Sequence, residues 1–368
     1  MDRWYEITNA TDIPSPALLV YPDRIEENLR RMVAAAGGVE RLRPHVKTHK
    51  MPEVIRLCLA HGIRKFKAAT IAEVEMAATA GAADVLLAYP VVGPAAGRLA
   101  ELARRFPETR FRAVVDSEIG IEDLARAAEA AGVKIDTLLD LNVGMNRTGV
   151  VPGPAAFRLA RLVAESPGLT FGGLHAYDGH LNDPDHARLV EKVEAAFAPV
   201  WRLRDELEAA GIPVPLVAAA GTPTTPILAA KGDVEVGAGT TVLWDFGQPT
   251  VSPDLDFLNA AVLLVRVVSH PAPGRLCLDL GHKAVASEMP HPRVRIFGLE
   301  DATFPMHSEE HLVVETPRAA EFPVGTVLYA LPRHVCPTVA LHEEAVVVRD
   351  GRATDRWHVA ARTRRITV

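Results

Sequence analysis

Cysteine is scarce: the 368 residues contain three, Cys58, Cys277 and Cys336, at long separations. An odd, scattered set builds no disulfide framework, so a reducing, cytoplasmic setting is expected. Long apolar runs are missing too; nothing approaches the ~18–20 uncharged residues of a membrane span, and no membrane association is expected. The opening MDRWYEITNATDIPSP has no basic head leading into an apolar stretch, which speaks against a secretory signal. No basic block interrupts the chain, and 40 Lys and Arg against 46 Asp and Glu leave a net charge of -6, so nucleic acid is not an expected partner. Low-complexity linkers are lacking. Apolar residues at 48 % and charged residues at 23 % suit a globular protein with a large core, not disorder or a coiled coil. The length fits two domains, or one barrel with an appendage. A soluble intracellular enzyme is the expectation.

What is present begins with a regular alternation. Short apolar or β-branched runs occur at 17–21, 41–47, 65–70, 84–89, 111–116, 136–142, 169–176, 214–220 and 234–238. Helical stretches separate them. In 184–210, for example, Leu189, Val193, Phe197, Val200, Leu203 and Leu207 fall three or four apart, with Pro199 placed to kink the helix. Strand alternating with helix predicts parallel β/α architecture. Leaving 17–21 at the margin, the eight runs from 41 to 238 close an eight-stranded parallel β/α (TIM-type) barrel, with a doubly wound sheet as the alternative. Beyond about residue 250 the texture changes to short β runs broken by Gly and Pro, a mostly antiparallel β domain. The expected domains are 1–250 and 251–368, the extreme N-terminus packing on the β domain.

The densest chemical cluster is RPHVKTHK at 43–50. In a strand, Arg43, His45 and Lys47 share one face, and barrel active sites form at the carboxyl ends of strands. Neighbouring cations disfavour an ammonium and free the amine for Schiff-base chemistry, so Lys47 is the candidate nucleophile; the bland alternative is a solvated basic turn. LLDLNVGMNRTGV runs an apolar strand into a Gly/Asn turn and Arg147. Two small-residue turns, AAGTPTTP and GAGTTVLWD, follow late strands where barrels commonly bind phosphate through backbone N–H groups and hydroxyls. GLHAYDGH collects His175, Tyr177, Asp178 and His180 at another strand end. In PRHVCP, a strand would put His334 and Cys336 on one face; two ligands suit a metal completed by water and substrate, and sulfur favours zinc over magnesium or manganese. Cys58 and Cys277 read as core residues.

These segments together resemble the D-threonine aldolase and D-serine dehydratase family, pyridoxal-phosphate enzymes of alanine-racemase fold. The resemblance runs from SPALLVYPDRIEENLRRM to PRHVCPTV, and RPHVKTHK is its most specific element. It implies pyridoxal 5'-phosphate on Lys47, Arg147 at the cofactor's phenolic oxygen, Tyr177 beside the cofactor, and phosphate turns at Gly221, Thr222, Gly239 and Thr240. It implies a divalent metal on His334 and Cys336, and a homodimer in which one subunit's β domain helps close the partner's barrel. The expected substrate is a D-β-hydroxy-α-amino acid. In an aldolase, His180 is the candidate base for the β-hydroxyl, giving glycine and an aldehyde. In a dehydratase acting on D-serine or D-threo-3-hydroxyaspartate, Lys47 takes the α-proton and a 2-keto acid and ammonia result. Cys336 leans toward the dehydratase, because aldolases of the family more usually carry His-x-Asp. The YDGH segment looks more like the aldolase and is weighted more, since the proton-transfer group decides which bond breaks. A non-catalytic cofactor carrier resembles the barrel alone, and a racemase needs a second base, for which the sequence offers no convincing candidate, Tyr329 being the tyrosine left to consider.

Overall fold

The computed structural model describes residues 3–365 and Thr367. The chain divides into two units: Arg30–Lys47 and Pro52–Gly239, with residues 363–365 and Thr367, form one; residues 3–29, Thr48–Met51 and Thr240–Arg362 form the other.

Strand β1 (Ala17–Val20) belongs to the second unit, so the barrel begins at β2 (Lys65–Ala68). It continues through β3 (Asp84–Pro90), β4 (Arg110–Val115), β5 (Ile135–Leu141), β6 (Leu169–Ala176), β7 (Val217–Ala219) and β8 (Val234–Val236). These seven strands pair in parallel and in chain order. The eighth place is filled differently from expectation. Leu42 bridges Val236 and His45 bridges Lys67, both in parallel. Arg43 N–H donates to the Val236 carbonyl at 3.0 Å, and Lys67 N–H to the Pro44 carbonyl at 3.0 Å. Segment 42–45 thus stands between the last strand and the first, but as isolated bridges and not as a strand over 41–47. Pro44 has no N–H for a ladder, and 3-10 turns at Val39–Arg41 and Val46–Thr48 bend the chain on either side.

Helices between the strands cover the barrel. The helix His186–Ala209 starts where Asp185 accepts the Arg188 N–H, and Leu189, Val193, Phe197, Val200, Leu203 and Leu207 are its buried face, with Pro199 inside it. Inside, alternate strand residues form layers. The lowest is ionic: Arg43 pairs with Asp84 at 2.5 Å and Glu235 at 2.6 Å, and Arg112 with Asp84 at 2.8 Å and Asp136 at 3.1 Å. The middle layer is apolar, from Leu86, Val114, Leu138, Leu216 and Ala218. Toward the carboxyl ends stand Lys67, Asp140 and His175, all buried.

The second unit is a mostly antiparallel sheet. It contains β9 (Ala261–Ala272), β10 (Arg275–Leu278), β11 (Val294–Ile296), β12 (Thr303–His307), β13 (Leu312–Glu315), β14 (Val327–Pro332), β15 (Glu344–Arg349) and β16 (Arg352–His358). The order is β12-β13-β10-β9-β1-β15-β16, with β14 pairing β9 and β11. β1 runs antiparallel to β9 and parallel to β15, Leu19 facing Val262 and Val346. Its residues are buried on both faces, which suits the unbroken apolar run ALLV. Cys58 and Cys277 are buried in their respective units. Among the described residues, no helix is long and apolar enough to cross a membrane.

Candidate active site

In the barrel unit, three cations surround one aromatic ring. The ring of Tyr177, just past β6, has Lys47 Nζ at 5.8 Å from its centroid, Lys67 Nζ at 5.2 Å and Arg147 Cζ at 5.0 Å. The negative face of a phenol ring attracts such groups. Gly179 permits the arrangement, because a Cβ there would stand 2.4 Å from the Tyr177 hydroxyl. Lys47 is half-buried on the 3-10 turn after His45, whose Nδ1 accepts the Lys47 N–H at 3.2 Å.

Arg147 is presented by a stapled turn. Asn142 Oδ1 accepts both the Gly144 and Asn146 N–H groups at 3.0 Å, and its Nδ2 donates to Asn146 Oδ1 at 3.0 Å. Asn146 is left-handed at φ 53°, a conformation that asparagine tolerates well. Thr148 then donates to Asp140 Oδ2 at 2.8 Å, tying the turn back to β5.

The carboxyl ends of β5 and β6 carry a buried polar set. Asp140 Oδ1 is 2.7 Å from His175 Nδ1. Burial raises the Asp140 carboxyl, but His175, the Thr148 hydroxyl and Arg147 outweigh it and hold the group below its ordinary range. With Asp140 ionised, His175 Nδ1 carries the proton and donates, while His175 Nε2 is buried with no hydrogen-bond partner among the described residues. Asp178 is fully buried and accepts the Gly221 N–H at 2.6 Å; burial pushes its carboxyl upward. Burial, followed by repulsion from Lys47, pushes the Lys67 ammonium down to about 7.

The predicted phosphate turns divide between the units. Gly221 and Thr222 follow β7 and Gly239 follows β8 in the barrel unit, all three buried. Thr240 belongs to the second unit, its hydroxyl 3.5 Å from Cys336 Sγ. His180 lies exposed on the turn after Tyr177 and Asp178, packed on the Arg147 turn: a Cβ on Gly144 would be 3.0 Å from His180 Nε2. No hydrogen bond engages its ring among the described residues.

In the second unit, His334 and Cys336 meet, though not on a strand. β14 ends at Pro332; His334 is extended and caps the helix Val335–Leu341, whose first turn carries Cys336. Burial works against both charges, yet their mutual attraction, with Glu288 and Asp245 beside the imidazole, raises His334 to about 9, and Cys336 is lowered below its ordinary value. His334 Nδ1 is also 2.5 Å from Glu288 Oε1, and Cys336 Sγ is 3.2 Å from the Thr48 hydroxyl. Asp245 braces the segment by accepting the Val335 N–H at 2.9 Å. Among the described residues, no group of three His, Cys, Asp or Glu is placed to hold a metal ion.

Two readings of the sequence need amendment. Arg43 does not accompany Lys47: it is buried in the ionic layer, with its charge committed to Asp84 and Glu235. Lys67 and Asp140 went unmarked; alternation in KFKA puts Lys65 and Lys67 on one face of a pleated run but does not say that the face is the interior.

Residues 20–242 match the family model for the alanine racemase N-terminal domain, and 260–348 match one for a serine dehydratase domain. The chain is 32 % identical to D-threonine aldolase of an Arthrobacter species, over 95 % of this chain and 93 % of that protein. It is 27 % identical to D-threo-3-hydroxyaspartate dehydratase of Delftia sp. strain HT23, over 89 % and 92 %. The crystal structure of D-threonine aldolase from Filomicrobium marinum superimposes with a TM-score of 0.89 at 30 % identity, covering 97 % of this chain and 98 % of that one. The chain therefore belongs to the D-threonine aldolase and D-serine dehydratase family, lyases of alanine-racemase fold.

Proposed function

We infer that this protein is a pyridoxal-phosphate- and divalent-metal-dependent D-threonine aldolase, cleaving D-β-hydroxy-α-amino acids to glycine and an aldehyde. The observation that carries the reading is the convergence of Lys47, Lys67 and Arg147 on Tyr177, together with a buried His175 nitrogen, two residues earlier in the chain, that has no partner among the described residues. Such a set fits an anionic aromatic cofactor: cations for its oxygens, a ring for it to lie against, and an orphaned polar atom for it to satisfy. Bound there, pyridoxal phosphate supplies an electron sink for cleavage at the amino acid's α-carbon.

The chain's own groups do the rest. Lys47 would hold the cofactor through its amine. Arg147 receives the phenolic oxygen, its turn fixed by Asn142. Gly221, Thr222, Gly239 and Thr240 are the phosphate-binding turns of this reading. His180, with its ring uncommitted, takes the proton from the β-hydroxyl, so that the Cα–Cβ bond breaks. His334 and Cys336 would hold the metal, zinc being favoured by the thiol over manganese or magnesium, with Glu288 orienting the imidazole. A homodimer in the cytoplasm is the proposed setting.

One observation favours a second reading. The His334–Cys336 pair is the metal set expected of a dehydratase, in which Lys47 takes the α-proton. Incubation with D-threonine, pyridoxal phosphate and a divalent metal separates the two. Glycine with acetaldehyde is the expected product; 2-oxobutanoate with ammonia would make the protein a dehydratase. Racemisation lacks a second base in Tyr329, which is buried in the β unit with its hydroxyl accepting the Ile7 N–H at 3.1 Å.

A further inference from the structure

We propose that Lys67 is a ligand-binding residue whose ammonium receives an anionic oxygen of the cofactor–amino acid pair bound in the barrel. The inference rests on the reading of the barrel as a cofactor site, and it assigns a residue that the family resemblance left without a role. Lys67 is 2 % exposed, yet its ammonium makes no hydrogen bond to any described residue. An ammonium with so little access to water and no protein partner is costly, and a ligand that reaches it would complete its donors.

The surroundings leave an anion as that ligand. Lys67 Nζ shares the Tyr177 ring with Lys47 and Arg147, so three cations converge there. Asp140 is engaged with His175 and Thr148; Asp178 accepts the Gly221 N–H through Oδ1, while its Oδ2 is buried with no partner among the described residues. Neither stands at hydrogen-bond distance from Nζ. Space is reserved on the β8 side as well, because a Cβ on Gly237 would lie 2.3 Å from Lys67 Nζ. Burial and then Lys47 depress the proton affinity of the amine more than Asp178 and Asp140 raise it, and a bound anion would raise it further.

Two oxygens share this chemistry, the cofactor's phenolic oxygen and the amino acid's carboxylate, and one experiment distinguishes them. Cofactor-free wild type, Lys67→Met and Lys67→Gln are titrated with pyridoxal phosphate, followed by absorbance; the loaded proteins are then titrated with glycine and with pH. If the partner is the phenolic oxygen, Lys67→Met weakens cofactor binding by about tenfold or more and moves the pH midpoint of the lysine-bound chromophore, with glycine affinity unchanged. If it is the carboxylate, the chromophore is unaltered and glycine binds about tenfold or more weakly. Either result supports the assignment. Lys67→Gln, which keeps donors without charge, falls between the two proteins, and it carries the comparison if Lys67→Met does not fold. Cofactor and glycine affinities within about twofold of wild type overturn the proposal. A wild-type protein that forms no chromophore overturns the cofactor reading itself, and this inference with it.

Discussion

A lysine on a barrel strand is ordinary when its stem lies on the surface and its charge in water. Lys67 has neither, and the consequence can be measured without any ligand. Burial, then Lys47, lowers its folded-state value from 10.5 to about 7. Between those values the unfolded chain binds a proton that the folded chain does not, so stability of the cofactor-free protein rises with pH across this window. Lys67→Met should flatten that rise in denaturant titrations from about pH 7 to 10 and increase stability at the acid end. A variant that retains the wild-type slope would show that the buried amine is not its source. At this scale the sequence was half legible. Lys47 stands in a basic cluster that attracts notice, whereas Lys67 is one of two lysines in a short strand, and only the closed barrel shows that it points inward. Arg43 teaches the converse, since its place in the same cluster says nothing of Asp84 and Glu235, which are 41 and 192 residues away.

At the scale of elements, periodicity did well where tertiary contacts agree with it. The buried face of His186–Ala209 is the one that its spacing predicts. It did less well at 41–47, where Pro44 and two 3-10 turns leave single bridges in place of a ladder. His334 and Cys336 show the same limit: three residues around a helix cap, not strand alternation, bring them together. The Asn142 turn offers a clean test of how an element positions a group. Asn142→Ala removes three hydrogen bonds that shape the turn while leaving β5 intact. Cofactor affinity should fall several-fold, by roughly one hydrogen bond's worth. The thermal midpoint should move by only a few degrees. Unchanged affinity would mean that Arg147 reaches its place without the staple.

Over the whole molecule, the class of architecture was readable because alternating strand and helix and then strand alone are composition-level signals. The ionic layer was not, because its members come from five segments that only barrel closure assembles. Arg43 sits at its centre, fully buried, with Asp84 held well below the carboxylate range by it and by Arg112. Arg43→Met should leave Asp84 and Glu235 short of a partner and destabilise the protein by about 3–5 kcal/mol, read from urea unfolding. A loss below about 1 kcal/mol would show that the layer relaxes around the gap.

The central claim is that the barrel holds pyridoxal phosphate through Lys47, with Lys67 beside it as an unreacted amine. Borohydride reduction of the cofactor-loaded protein, followed by peptide mass mapping, tests it most directly. The account predicts a single pyridoxyl label on Lys47 and none in Lys47→Ala. A label on Lys67, or no reducible adduct, would contradict it.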